Sequence, residues 1–144
     1  MISAHPGNAL VPELAVTDWK ASKSFYCGVL GFEVKYERPD EGFALLRMGD
    51  AELMIDQMGL GRTLEGGHRP ETYPFGKGVN FQIRVPNVQS VLERANAAQS
   101  PIILPLEDKW YVAGDVELGN SQFIVADPDG YLLRMTQELG SRPL

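Results

Sequence analysis

The sequence has few of the residues from which catalytic and metal sites are most often built: one cysteine, Cys27, and two histidines, His5 and His68. A single cysteine closes no intramolecular disulfide, so Cys27 reads as a structural thiol in a reducing compartment, and the cytoplasm is the expected location. His5 lies near the N-terminus and His68 in a Gly-rich stretch, which leaves no His-based metal site on regular structure. No apolar run approaches the roughly 20 residues of a membrane helix, and Met1 to Asn8 lacks a basic segment followed by an apolar one, so neither a membrane span nor a targeting segment is expected. Basic runs are absent too. Thirteen Lys and Arg against nineteen Asp and Glu give a net charge of −6, which disfavours a nucleic-acid partner and favours a cationic small molecule. There is no Gly-x-Ser-x-Gly elbow, no phosphate loop ending in Lys-Ser or Lys-Thr, and no Gly-x-Gly-x-x-Gly opening a helix.

What is present is a normal globular composition, 44% hydrophobic and 22% charged over 144 residues, enough for a single domain with a packed core. From Ala9 to Asp18 apolar positions alternate, with Leu10, Pro12, Leu14 and Val16 on one face of a strand and Val11, Glu13, Ala15 and Thr17 on the other. Asp18 caps a predicted helix over 18–30, on which Phe25, Tyr26, Val29 and Leu30 recur at helical spacing, and Gly31 suits its left-handed end. Strands follow at 32–37, 43–48 and 51–57, with turns at Pro39 to Gly42 and Gly49-Asp50. Residues 58–77, rich in Gly and Pro, read as a connecting loop.

The pattern then restarts at a constant offset of 69 residues, which matches Val11 with Asn80, Val16 with Val85 and Asp18 with Asn87. A strand over 79–85 precedes a helix capped by Asn87 and striped with Val88, Val91, Leu92 and Ala95. Strands are predicted near 102–106, 121–126 and 131–137. By the last strand the offset has grown to 80, matching Met54 with Arg134 and Gln57 with Gln137. The extra residues fit most simply in a loop over Glu107 to Gly119 that carries Trp110 and Tyr111. The chain is therefore expected to be α+β, one domain over 1–144 built from two tandem βαβββ modules, 9–57 and 78–139. One face of each sheet is apolar and helix-covered. The other is polar, and is either solvated or the lining of a cup if the sheet curls.

Val16-Thr17-Asp18, Ser24-Phe25-Tyr26, Leu30-Gly31-Phe32 and the late run Asp127-Pro128-Asp129-Gly130-Tyr131-Leu132-Leu133-Arg134, in this order on a duplicated pattern, resemble the vicinal oxygen chelate superfamily of glyoxalases, extradiol dioxygenases and bleomycin resistance proteins. The resemblance covers about residues 9–139. It implies paired βαβββ modules whose mixed sheets curl around a central cup, usually in a homodimer. It also implies a divalent metal held by His or Glu from the first and last strand of each module. Carried over, those positions are Val11, Met54, Asn80 and Arg134, none of them a usual ligand for such a metal. No cofactor is therefore expected.

The function so implied is that of the bleomycin resistance branch: a metal-free protein that sequesters an intact cationic or heteroaromatic molecule, such as a bleomycin-type glycopeptide. Candidate ligand-binding residues are Glu13, Tyr36, Phe43, Glu52, Asn80, Gln82, Arg84, Trp110, Tyr111 and Arg134. Glu13 and Glu52 are expected to pair with Arg84 and Arg134 or to face a cationic ligand. The alternative is a glyoxalase- or dioxygenase-like lyase, isomerase or oxidoreductase with non-standard metal ligands, in which Arg84, Arg134 and Asn80 would bind a carboxylate or an oxyanion. A scaffold or sensor role stands as a third reading.

Overall fold

The computed structural model describes residues 7–61 and 66–144. The chain divides into two compact units, Met1–Phe75 and Gly76–Leu144, each a four-stranded mixed sheet with helical cover on one face.

In the first unit the elements are β1 (Glu13–Val16), α1 (Trp19–Ser24) continued by a π-helical stretch (Phe25–Leu30), β2 (Glu33–Arg38), β3 (Phe43–Met48) and β4 (Ala51–Gln57). The strand order is β1-β4-β3-β2, with β1 parallel to β4 and the other pairs antiparallel. β1 is much shorter than the alternation suggests. Its partners run only from Met54 to Gln57, Pro12 has no N–H to give to a ladder, and Asp18 turns away to cap α1. The helix start is fully satisfied: Asp18 Oδ1 accepts from the N–H groups of Lys20 and Ala21, and Gln57 Oε1, from the last strand, accepts from Trp19 N–H at 3.0 Å. Gly31 ends the helical segment at φ 98°, a conformation costly for any other residue. Leu14, Val16, Ala44, Leu46, Leu53 and Ile55 form the sheet side of the core. Tyr26, wholly buried, meets Phe25 and Phe32 edge to face on the helix side.

In the second unit the elements are β5 (Asn80–Arg84), α2 (Val88–Ala97), β6 (Ile102–Ala113), β7 (Val116–Ala126) and β8 (Leu132–Pro143), ordered β5-β8-β7-β6 with β5 parallel to β8. Gln137 repeats the role of Gln57, its Oε1 accepting from Val88 N–H at 2.9 Å. Ile83, Phe123, Val125, Leu133 and Met135 are buried on the face that α2 covers with Val88, Val91 and Ala95. The Asp127 to Gly130 turn is held by Asp127 Oδ1, which accepts from Asp129 and Tyr131 N–H, both at 2.9 Å.

The predicted loop over Glu107 to Gly119 is instead the far part of a long hairpin. β6 and β7 stay in register from Glu107↔Gln122 to Ala113↔Val116, and only Gly114 and Asp115 form the turn. Gly119 does not break the strand. Its bare Cα faces Trp110, whose ring atoms would lie 2.8 Å from an added Cβ, so the aromatic ring covers the gap that the glycine leaves. β8 likewise runs on to Pro143 because it has the extended β7 to pair with.

A helix leaves its first N–H groups without partners, and in both units one of them is met from the last strand. Gln57→Ala and Gln137→Ala should each lower unfolding free energy by about 1–2 kcal/mol, read from urea denaturation midpoints, while Gln57→Glu should retain most of the stability because an anion suits a helix N-terminus.

Candidate functional site

On the helix-free face of the first sheet, alternation and register bring together most of the residues named from the sequence. Glu13 lies beside Met54, Met54 beside Leu45, and Leu45 beside Tyr36; Phe43 lies beside Asp56 and Glu52 beside Arg47. Glu13, Tyr36, Phe43, Glu52 and Met54 therefore share one face. Tyr36 and Phe43 stack with centroids 6.1 Å apart at 29°. The Arg38 guanidinium lies over the pair, 3.9 Å from the Phe43 centroid and 5.9 Å from that of Tyr36, and forms an ion pair with Glu41. Glu13, Arg38, Glu41, Phe43, Asp56 and Gly61 line a recess of about 200 Å³ beside this stack. Glu13 is exposed and has no ion-pair partner among the described residues.

Glu52 is not available to a ligand in the way the sequence suggests. Its Oε2 lies 2.8 Å from Lys35 Nζ, its Oε1 accepts from Asn8 N–H at 2.8 Å, and its side chain is 5% exposed. The Asn8 hydrogen bond, and after it the Lys35 ammonium, hold the Glu52 carboxyl below the usual carboxylate range. A β-bulge between Val34 and Tyr36 accounts for the pairing, because it lets Lys35 reach the face that Tyr36 also uses. Glu52 takes Lys35 of its own unit in place of the expected arginines, and Arg84 meets Glu138 at 3.3 Å.

In the second unit Gln82 lies beside Arg134, with Asn80 and Arg84 two residues away along β5 on the same face. Arg134 lies beside Ile124 and Thr136 beside Gln122. Tyr111 also belongs to this face, its hydroxyl accepting from Gln122 Nε2 at 2.6 Å. Trp110 does not. It stands one residue off in the hairpin, over Gly119, with the Arg142 guanidinium 4.1 Å from its ring centroid and Arg142 paired to Glu117 at 2.7 Å. The structure thus separates Trp110 from Tyr111, and Trp110 serves the hairpin.

Sequence reasoning passed over Arg38, Glu41 and Gln122, and it set Asp56 on the polar face with Glu52 and Met54 without naming it as a binding residue. Asp56 carried a signal, since it continues the alternation Glu52, Met54, Asp56. Arg38 and Glu41 carried none beyond their nearness to a turn.

A divalent metal does not fit the residues present. In the first unit the places implied for ligands hold Val11, which has no donor atom, and Met54, a soft thioether; Glu13 adds one carboxylate beside Met54. In the second unit they hold Asn80 and Arg134, with the neutral amide of Gln82 beside the latter. A guanidinium has no lone pair to give and repels a cation. No group of three or more His, Cys, Asp and Glu suited to a metal occurs among the described residues. His68 is exposed in the connector, and His5 lies outside the described residues. Cys27 is half-buried, and burial raises its thiol pKa against the opposing pull of Lys23, which keeps it protonated. No helix among the described residues is long and apolar enough to cross a membrane.

Residues 8–135 match the family described as the Glyoxalase/Bleomycin resistance protein/Dioxygenase superfamily. Among solved structures, TioX from Micromonospora sp. ML1 is 28% identical, covering 92% of this chain and 100% of that one with a TM-score of 0.68. A glyoxalase/bleomycin resistance protein/dioxygenase superfamily member from Vibrio splendidus 12B01 is 43% identical over 88% and 96% of the two chains, with a TM-score of 0.39. Lactoylglutathione lyase from Agrobacterium tumefaciens, 17% identical over 92% and 94% with a TM-score of 0.57, shares the fold. No curated protein matches the chain.

The Glu52 pair sets a pH dependence. Its folded-state pKa is depressed, so the stabilisation is complete above the unfolded carboxylate range and is lost as pH falls through the folded-state value. Glu52→Gln should cost about 1 kcal/mol at neutral pH, since the amide keeps an acceptor for Asn8 N–H and loses only the charge facing Lys35. The gap to the wild type should close on acidification, as measured by denaturation at a series of pH values.

Proposed function

Because the chain belongs to the glyoxalase/bleomycin resistance protein/dioxygenase superfamily, we propose that it is a metal-free binding protein of the bleomycin resistance kind, which holds an intact cationic or heteroaromatic small molecule against the Tyr36–Phe43 face of its first unit. The observation that carries this reading is the position of Arg38, 3.9 Å from the Phe43 centroid. A flat cation already lies over the aromatic pair, supplied by the chain itself. The surface therefore offers the planar shape and the negative ring faces that a ligand of the same kind requires. Arg38 is exposed, and its ion pair with Glu41 is at the surface, so displacing it costs little. Glu13 adds a carboxylate on the rim, and the net charge of −6 favours a cationic guest.

Magnitudes limit what this recess does alone. Its volume of about 200 Å³ is below the roughly 300–1,000 Å³ of drug-sized clefts, so it suits one ring or a cationic tail and not a whole glycopeptide. A cation–π contact gives about 0.5–2 kcal/mol and a stacked pair about 0.5–1.5 kcal/mol, whereas micromolar sequestration requires about −8 kcal/mol. The ligand must therefore touch more surface than this recess. We extend the proposal to a cytoplasmic homodimer, as the family resemblance implies, in which a second copy supplies that surface.

The test is calorimetry with metal-free and copper-loaded bleomycin. Binding should be saturable, Tyr36→Ala should weaken it roughly tenfold, corresponding to about 1.4 kcal/mol, Arg38→Ala should strengthen it by removing a competitor, and Trp110→Ala should leave it unchanged. No binding at high micromolar drug, or one tightly held divalent metal per chain in protein prepared without chelator, overturns the proposal.

A further inference from the structure

The cations that the chain sets over its own aromatic rings differ in how close they come. The guanidinium groups of Arg38 and Arg142 lie 3.9 Å from the Phe43 centroid and 4.1 Å from that of Trp110, whereas the Lys23 ammonium stays 5.3 Å from the Trp19 ring. A guanidinium is flat and weakly hydrated, so it can lie in contact with a ring face; an ammonium is compact and keeps its water. The kind of cation that the surface at Phe43 accepts is therefore visible in the residue that occupies it.

The setting around Arg38 holds more than one guanidinium needs. Arg38 lies over both Phe43 and Tyr36 and is held by the Glu41 carboxylate. The recess beside it, about 200 Å³, is walled by Gly61, where an added Cβ would lie 3.0 Å from the Glu41 carbonyl oxygen and 3.2 Å from Asp56 Oδ1. A side chain at that position would crowd the space, and bare backbone leaves it open. A cavity of roughly 150 Å³ is already enough for a benzene ring. Glu13 lines the same recess from β1 and has no ion-pair partner among the described residues. Acids alone would select no particular cation. Here they stand around a ring on which a planar cation is already seated.

We infer that this recess takes an aryl amidine or aryl guanidine, a flat cation joined to a ring, and that Arg38 is the intramolecular stand-in for the charged group of the guest. The inference rests on the reading of the Tyr36–Phe43 face as a binding surface and narrows its ligand from cations in general to this class. At the ring the exchange is like for like. The amidinium of the guest replaces Arg38 over Phe43 and donates to Glu41 and Glu13, its aryl ring fills the recess, and Arg38, whose side chain is 48% exposed, turns out into solvent. The contacts to Phe43 and Glu41 cancel in this exchange, so the net gain comes from Glu13 and from the buried ring. A primary amine of the same size gains less, because its ammonium does not stack, and a neutral amide lacks the charge.

The probe is benzamidine, with benzylamine as its ammonium counterpart and benzamide as its neutral isostere, titrated into the full chain while the ¹⁵N signal of Arg38 Nε–H is followed by NMR. Benzamidine should shift the signal saturably, in the millimolar range that so small a ligand reaches. Benzylamine should bind several-fold more weakly, and benzamide should not saturate. Removing Arg38 raises the fraction of molecules with an open ring face, so Arg38→Ala, followed at the Gly61 amide, should tighten benzamidine binding by up to about tenfold. Glu13→Gln, at an exposed position, should weaken it several-fold and leave Tm unchanged. Equal binding of benzylamine or benzamide, unchanged or weaker binding in Arg38→Ala, or unchanged binding in Glu13→Gln would overturn the inference. Bleomycin that binds by calorimetry and is not displaced by benzamidine would overturn it too, while leaving the wider reading in place. Benzamidine that binds where bleomycin does not would uphold the amidinium class and remove the glycopeptide.

Discussion

Everything each unit presents on its helix-free face follows from one constraint, the parallel pairing of its first strand with its last. A parallel pair cannot be closed by a tight turn, so the chain must cross over through a helix, and the helix must be tied to the sheet it returns to. Gln57 and Gln137 make that tie, each reaching from the last strand of its unit to the first free N–H of its helix. With β1 locked against β4 and β5 against β8, Glu13 stands beside Met54 and Gln82 beside Arg134. The two units share this framework and differ in what they place on it.

Much of the framework was legible from apolar spacing and from turn residues. Asp18 and Asn87, matched by the offset of 69 residues, cap helices as their positions indicate, and the offset of 80 residues matched Gln57 with Gln137 before their shared role was visible. The one large departure, the hairpin over Glu107 to Gly119, arose because the residues by which the offset grows from 69 to 80 were assigned to a loop, whereas they lengthen β6 and β7. The cue to the hairpin was nonetheless present. Gly114-Asp115 between Val112 and Val116 repeats the Gly49-Asp50 turn that joins β3 to β4, and a Gly-Asp pair between β-formers favours a two-residue hairpin.

The chemistry of the two faces was less legible, for a physical reason. Alternation tells which residues share a face but not which of them pair. The bulge after Val34 shifts Lys35 onto Glu52, and a bulge depends on backbone register that no single residue announces. Likewise nothing in the residue types says that Arg84 takes Glu138 while Arg134 takes no acid among the described residues. In the first unit a cation lies on an aromatic pair. In the second a cation lies among amides. Pattern alone reads both as polar lining.

The placement of the two tryptophans has an optical consequence. Trp19 is buried where α1 begins, with the Lys23 ammonium 5.3 Å from its ring, and Trp110 covers Gly119 at the far end of the long hairpin. Each unit therefore contains one indole in a different setting, and neither belongs to the recess at Tyr36 or to the surroundings of Arg134. Replacing either indole by phenylalanine would leave a chromophore that reports on the melting of a single half of the chain, a means of asking whether the two halves unfold together or in turn.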